Sequence, residues 1–169
     1  SKFGAAGAGW VDYSVALPDE VDVAAIKRLR LRFEAGARTA RSRIGWRDPA
    51  HVLATDYPQT EAVKLPTDLR VWVNDQLLGT TRLPDDPADA RGVLSAHLSD
   101  QYEYASYGFL VTFEAEAVVL ARILDRAAET RRLVVRFEVP RDGQRGGLNL
   151  YGSRMGAYPI DPTIFLDRA

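Results

Sequence analysis

The chain has 169 residues, a formal net charge of -1, 46% hydrophobic and 27% charged residues, and no cysteine. That length suits one domain with a full core, and the near-zero charge leaves no electrostatic footprint for nucleic acid or an anionic membrane. The missing cysteines exclude a disulfide framework, a thiolate metal site and a Cys nucleophile, and no stretch approaches the ~20 apolar residues of a membrane span.

Residues 1–7, within "SKFGAAGAGW", read as a linker or tag remnant running into a domain over residues 8–169. "WVDYSVAL" is the first strand: Val11, Tyr13, Val15 and Leu17 fall on one face at period two, with Asp12 and Ser14 opposite. Pro18 ends it, and "DEVDVAAI" reads as a short turn or helical turn. In "RLRLRFEA", Leu29, Leu31 and Phe33 alternate with Arg28, Arg30, Arg32 and Glu34, the pattern of a half-buried strand with one polar face. From 36 to 66 the periodicity fades. "ARSRIGW" is a weak strand, and the proline-containing stretch after it reads as a long surface loop, a class often functional.

"LRVWVNDQLLGTTRL" is the clearest hairpin. Leu69, Val71 and Val73 alternate with Arg70, Trp72 and Asn74; Asn74-Asp75 is a tight-turn dipeptide, and Gly79 marks a bulge on the return strand. An acidic loop, "PDDPADARG", and a tyrosine-rich one, "SAHLSDQYEYAS", follow. "YGFLVTFE" places Tyr107, Phe109, Val111 and Phe113 on one face. In "AEAVVLARILDRAAE", Val119, Leu120, Ile123, Leu124 and Ala127 recur at helical spacing. "RRLVVRFEV" returns to alternation with Leu133, Val135, Phe137 and Val139 inward, and "LNLYG" and "TIFL" close the chain. Seven to nine short strands with one helix predict an all-β fold, an antiparallel β-sandwich or jelly roll.

Little here serves catalysis. His51 and His97 lie in loops without a motif partner, and no HExxH, GxSxG or P-loop pattern occurs. Acid pairs such as Asp85 with Asp86, or Asp100 with Glu103, are the raw material of glycoside hydrolysis, but acidic surface loops carry such pairs routinely. The expectation is a domain without enzymatic activity. Asp85, Asp86 and Asp89 could supply oxygens to a structural calcium ion; the competing reading is a solvated turn shaped by Pro87.

Aromatic residues outside strand alternation are a second signal. Trp46, Tyr57, Tyr102, Tyr104 and Tyr158, with Arg154, could stack on the C–H faces of a sugar and bind its hydroxyls; equally, such rings could cap the ends of the sandwich. A third signal is Arg30, Arg32, Trp72 and Arg136 on the polar sides of strands. If these share a sheet, a tryptophan among arginines suits an acidic sugar, because arginine pairs bidentately with carboxylates and sulfates. The alternative is a solvated face where Glu34 and Glu138 pair with those arginines across strands.

The order "PTDLRVWVNDQLLGTTRLPDDPADARGVLS", "YASYGFLV", "VVRFEVP" and "GGLNLYGSRMGAYPIDPTI" resembles a β-sandwich domain at the end of bacterial family 2 glycoside hydrolases, and a related pattern trails certain bacterial winged-helix regulators. The resemblance covers about residues 8–167. Its landmarks are Asn74, Gly79, Asp86 to Gly92, Tyr107-Gly108, Gly147, Asn149, Tyr151, Gly152 and Tyr158. The galactose-binding-like jelly roll, which the chain also resembles, commonly serves as a carbohydrate-binding module. The resemblance implies a monomeric accessory domain that binds an oligo- or polysaccharide and partners a parent catalytic domain, placed outside the cell or in the periplasm where that enzyme is exported. Its alternatives are a structural domain packed on the catalytic unit and a sensor or partner-binding module of a regulator. Few lysines (Lys2, Lys27 and Lys64) against many arginines fit a GC-rich bacterial genome.

Overall fold

The computed structural model describes residues 3–5, 7–37, 66–83, 109–143, 147–152 and 161–168. They form an antiparallel β-sandwich of two sheets with one α-helix. The strands are β1 (Phe3–Ala5), β2 (Gly9–Ala16), β3 (Ile26–Ala37), β4 (Thr67–Val73), β5 (Gln76–Leu83), β6 (Phe109–Glu114), β7 (Arg132–Val139), β8 (Leu148–Leu150) and β9 (Thr163–Arg168); the helix, α1, is Ala117–Thr130. One sheet has the order β2-β7-β4-β5. The other runs β1-β8-β3-β6, with β9 also on β3. Strand β9 pairs with the first half of β3 and β8 with its last residues.

The alternation in sequence becomes the core. Leu29, Leu31 and Phe33 of β3 meet Leu69, Val71 and Val73 of β4 and Leu133, Val135 and Phe137 of β7 in one buried cluster. Phe33 sits at its centre, 4.9 Å from Phe137 in an edge-on arrangement and 6.0 Å from Phe113. The Phe137 contact crosses between the two sheets and the Phe113 contact joins neighbouring strands of one sheet, and both lie in the range where aromatic pairs attract. Gly79 is required by this packing: a Cβ there would lie 2.5 Å from the Phe113 ring.

Local signals explain the connections. Asn74 and Asp75 both adopt the left-handed conformation, φ 47° and 62°, as a two-residue hairpin turn matched to strand twist requires. The register slips beyond Val71, which faces Gly79, while Trp72 faces Leu77; this is the bulge expected at that glycine. Asp22 caps a 3-10 turn at Val23–Ala25 by accepting a hydrogen bond from the Ala24 amide. Helix α1 buries Leu120, Ile123 and Ala127 and packs against that turn, β5, β7 and β3. Its C-terminus closes at Arg131, in the left-handed region, whose amide donates to the Ala127 carbonyl.

Three expectations need correction. Strand β3 is half-buried only at its start: from Phe33 to Ala37 every residue is buried, and Glu34, placed outward by alternation, is 5% exposed. Burial on both faces marks a central strand. Val15 has the parity of the core but is 44% exposed near the end of the edge strand β2. Phe3–Ala5, within the stretch read as a linker, pairs with Leu148–Leu150.

Candidate functional site

The outer face of the four-stranded sheet is the richest arrangement of recognition chemistry among the described residues. It is built from the residues that alternate away from the core: Trp10, Asp12 and Ser14 on β2, Arg132, Arg136 and Glu138 on β7, and Asp68, Arg70 and Trp72 on β4. Cross-strand register sets Trp10 beside Glu138, Asp12 beside Arg136, and Arg136 beside Trp72. Two tryptophans therefore flank an arginine and a glutamate on three adjacent strands.

The polar groups hold one another in place. Arg136 donates from Nε and Nη2 to the two Asp12 carboxylate oxygens, both at 2.8 Å, and its guanidinium lies 5.6 Å from the Trp10 ring centroid. The Trp72 indole Nε1–H donates to Glu138 Oε2 at 2.8 Å. Toward the β5 edge Arg82 pairs with Asp68 at 2.7 Å, and Arg70 with Asp142 at 3.2 Å. Trp10, by contrast, is 63% exposed. A large ring on the solvent side of a strand, steadied by a cation on an ion-paired arm, is a fixed apolar platform bordered by hydrogen-bonding groups.

The Arg136 guanidinium beside it holds the Asp12 carboxyl below its ordinary value of 3.8, chiefly through their hydrogen bond, which outweighs the opposing effect of burial, with charge attraction adding less. A depressed carboxylate stabilises the fold above its unfolded-state value and loses that contribution as pH falls through the folded one. The side chains remain 38% and 36% exposed, so solvent screening limits the pair to about 1 kcal/mol or less. Urea unfolding should therefore separate Asp12→Asn from the parent protein at pH 7, with the gap narrowing as pH falls below the ordinary carboxylate value of 3.8. A separation that stays constant with pH would show that this pair contributes nothing.

The expected site residues distribute unevenly. Trp72 and Arg136 share this face as anticipated, but Arg30 and Arg32 stand on the other sheet, because β3 pairs with β6, β8 and β9 and not with β4 or β7. Cross-strand pairing occurs: Asp12 takes Arg136, Glu138 takes the Trp72 indole, and Asp167 takes Arg30 at 2.9 Å. Trp46, Tyr57, Tyr102, Tyr104, Arg154 and Tyr158 lie outside the described residues, as do the calcium candidates Asp85, Asp86 and Asp89. Among the described residues no group of three or more His, Asp or Glu side chains could hold a metal ion.

Sequence reasoning overlooked Trp10. The signal was available: Trp10 has the parity of Asp12 and Ser14, not of Val11 and Tyr13, which puts an indole on the polar side of a strand. No protein-family model matches the chain, and no curated protein matches it; the resemblance to the glycoside hydrolase accessory domain thus rests on the motifs quoted above.

Proposed function

We propose that this β-sandwich is a non-catalytic carbohydrate-binding module, an accessory to a glycan-degrading enzyme, and that it takes its sugar on the outer face of the four-stranded sheet. The observation that carries this reading is Trp10, 63% exposed on a strand and fixed beside the Arg136–Asp12 pair. A pyranose ring presents a flat array of C–H bonds to an indole face, while its hydroxyls donate to carboxylates and accept from guanidinium and indole N–H groups. Asp12, Arg136, Glu138 and Trp72 supply both kinds of partner around that ring. Because the groups sit on strands and are already bonded to one another, little conformational freedom is lost when ligand arrives. Tethering a parent enzyme to its polysaccharide through such a face raises the local substrate concentration.

A glycan array with the isolated domain identifies the ligand, and calorimetric titration then tests the face. Trp10→Ala should weaken binding about tenfold or more, as truncation of an anchoring tryptophan does at other interfaces, with the melting temperature nearly unchanged because the ring is largely exposed. Trp72→Ala should weaken it too, by removing the indole that orients Glu138. Trp46→Ala and Tyr104→Ala in the same titration test the loops. Loss of binding in the loop variants alone moves the site to the sandwich end, and a domain that binds no glycan refutes the module reading in favour of a structural accessory.

A further inference from the structure

We infer that the outer face of the four-stranded sheet takes uncharged sugars and turns acidic ones away, and that Glu138 sets this preference; the inference rests on the carbohydrate-binding reading of that face. It reverses the expectation that a tryptophan among arginines suits an acidic sugar. Cross-strand register makes a small grid. Trp10, Glu138 and Arg70 lie side by side across β2, β7 and β4, and Asp12, Arg136 and Trp72 form the neighbouring row. Both arginines of the grid already hold a carboxylate. Arg136 gives Nε and Nη2 to Asp12 at 2.8 Å, and Arg70 gives Nη2 to both oxygens of Asp142 at 3.2 Å. Glu138 differs. Its Oε2 accepts from the Trp72 indole at 2.8 Å, but among the described residues no arginine bonds to it, and its Oε1 is open to solvent.

A sugar carboxylate or sulfate arriving at Trp10 therefore meets arginines whose bidentate bonds are taken. It could gain the remaining Nη1 of Arg136 only while standing beside Asp12 and Glu138, and the charge of Asp75 acts on Arg136 as well. Residues directly opposite on antiparallel strands hold their Cβ atoms about 5 Å apart, so a pyranose stacked on Trp10 lies against the Glu138 carboxylate. Like charges at that range sit within the Debye length of about 8 Å at physiological salt and repel. A neutral sugar instead donates a hydroxyl to Oε1, and a hydrogen bond to an ionised acceptor is stronger than one to a neutral acceptor. A cationic amino sugar meets a like charge already on the ring, since the Arg136 guanidinium lies 5.6 Å from the Trp10 centroid. Two arginines at the margins of this face hold no carboxylate among the described residues. Arg132, which donates to Ser14 Oγ at 2.7 Å, stands at the far end of β7 from Glu138, roughly 20 Å along the strand. Arg141 lies beyond β7 in an exposed turn.

The test is calorimetric titration of the whole domain with galactan, mannan and glucan oligomers, each against the galacturonate, mannuronate or glucuronate oligomer of matched length, at low and high salt. The neutral member of a pair should bind about tenfold more tightly than its uronate at low salt, the scale of one like-charge contact, and the gap should narrow as salt rises. Glu138→Gln keeps an acceptor for the Trp72 indole and removes only the charge, so it should bring the gap to about threefold or less with the melting temperature nearly unchanged. A role for Glu138 in structure alone would not make the gap depend on salt. Arg141→Gln, which removes a marginal arginine, should leave the preference as it is. A uronate that binds as tightly as its neutral partner, and is lost in Trp10→Ala, overturns the inference while the sugar-binding face stands. A preference that survives unchanged in Glu138→Gln removes Glu138 as its source and overturns it too. Binding by none of these oligomers also overturns it, and a blank glycan array sinks the carbohydrate reading itself.

Discussion

Asn74→Ala is expected to destabilise the protein by about 2–4 kcal/mol, although the residue sits in a two-residue turn. Asn74 is 7% exposed and its amide is fully engaged. Its Nδ2 donates to the Ile123 carbonyl at 3.1 Å and the Arg132 carbonyl at 3.3 Å, and its Oδ1 accepts from the Val134 amide at 2.9 Å. The side chain thus ties the β4–β5 hairpin to α1 and β7 at once. Alanine leaves the part-buried Val134 N–H without that acceptor and the buried Ile123 carbonyl without its donor, a loss of about 1–3 kcal/mol, and it forces a Cβ-bearing residue with no compensating side-chain bond into the left-handed region at φ 47°, adding roughly 1 kcal/mol. For a chain of this size the melting temperature should fall by about 5–15 °C. Asn74→Gly relieves the backbone conformation but not the lost bonds, so it should fall between the parent protein and Asn74→Ala. Asn74→Asp keeps the acceptor for Val134 while setting a carboxylate against two carbonyls, and should cost at least as much as alanine. Thermal melts of the three variants check this ordering; a loss under about 0.5 kcal/mol for alanine, the range of ordinary surface changes, would sink it.

What could be read from the sequence was local. Alternation located the two halves of the hairpin because Leu69, Val71 and Val73 all face one core, and the helical recurrence of Leu120, Ile123 and Ala127 located α1 because all three are buried together. Asn74-Asp75 and Gly79 carried their turn and bulge in their own conformational preferences. Sheet membership was not legible. Arg30 and Asp167 are 137 residues apart and Arg136 and Asp12 are 124 apart, and nothing in a strand's own pattern says which strand will lie beside it. For the same reason four arginine and tryptophan positions that looked alike in sequence divide between two faces. Glu34 shows the complementary limit: parity fixes which way a side chain points, but whether the outer face is covered is a tertiary matter. Trp10 was legible and passed over, since its parity alone sets it among polar residues.

Phe33→Ala should have the largest effect, about 3–5 kcal/mol, as expected for removing a buried aromatic ring and leaving a cavity. The ring is 0% exposed and bridges the two sheets through Phe137, with Phe113 on its other side. The residues next to these rings alternate to the outer faces of the two sheets. Arg32 and Glu34 flank Phe33, and Arg136 and Glu138 flank Phe137, so each inward ring anchors the strand segment whose alternate side chains face solvent. Phe33→Leu retains most of the apolar volume and should cost only about 1–2 kcal/mol. A double-mutant cycle of Phe33→Leu with Phe137→Leu should reveal a coupling of about 0.5–1.5 kcal/mol, because an edge-on pair at 4.9 Å attracts beyond the area it buries. Urea unfolding gives all four free energies. The interpretation requires that the slope with denaturant stay constant, so that the midpoint alone reports stability. A Phe33→Ala loss below about 1 kcal/mol, or strict additivity in the cycle, would show that the sheets are held together elsewhere and that the Phe33–Phe137 contact does not anchor the two outer faces.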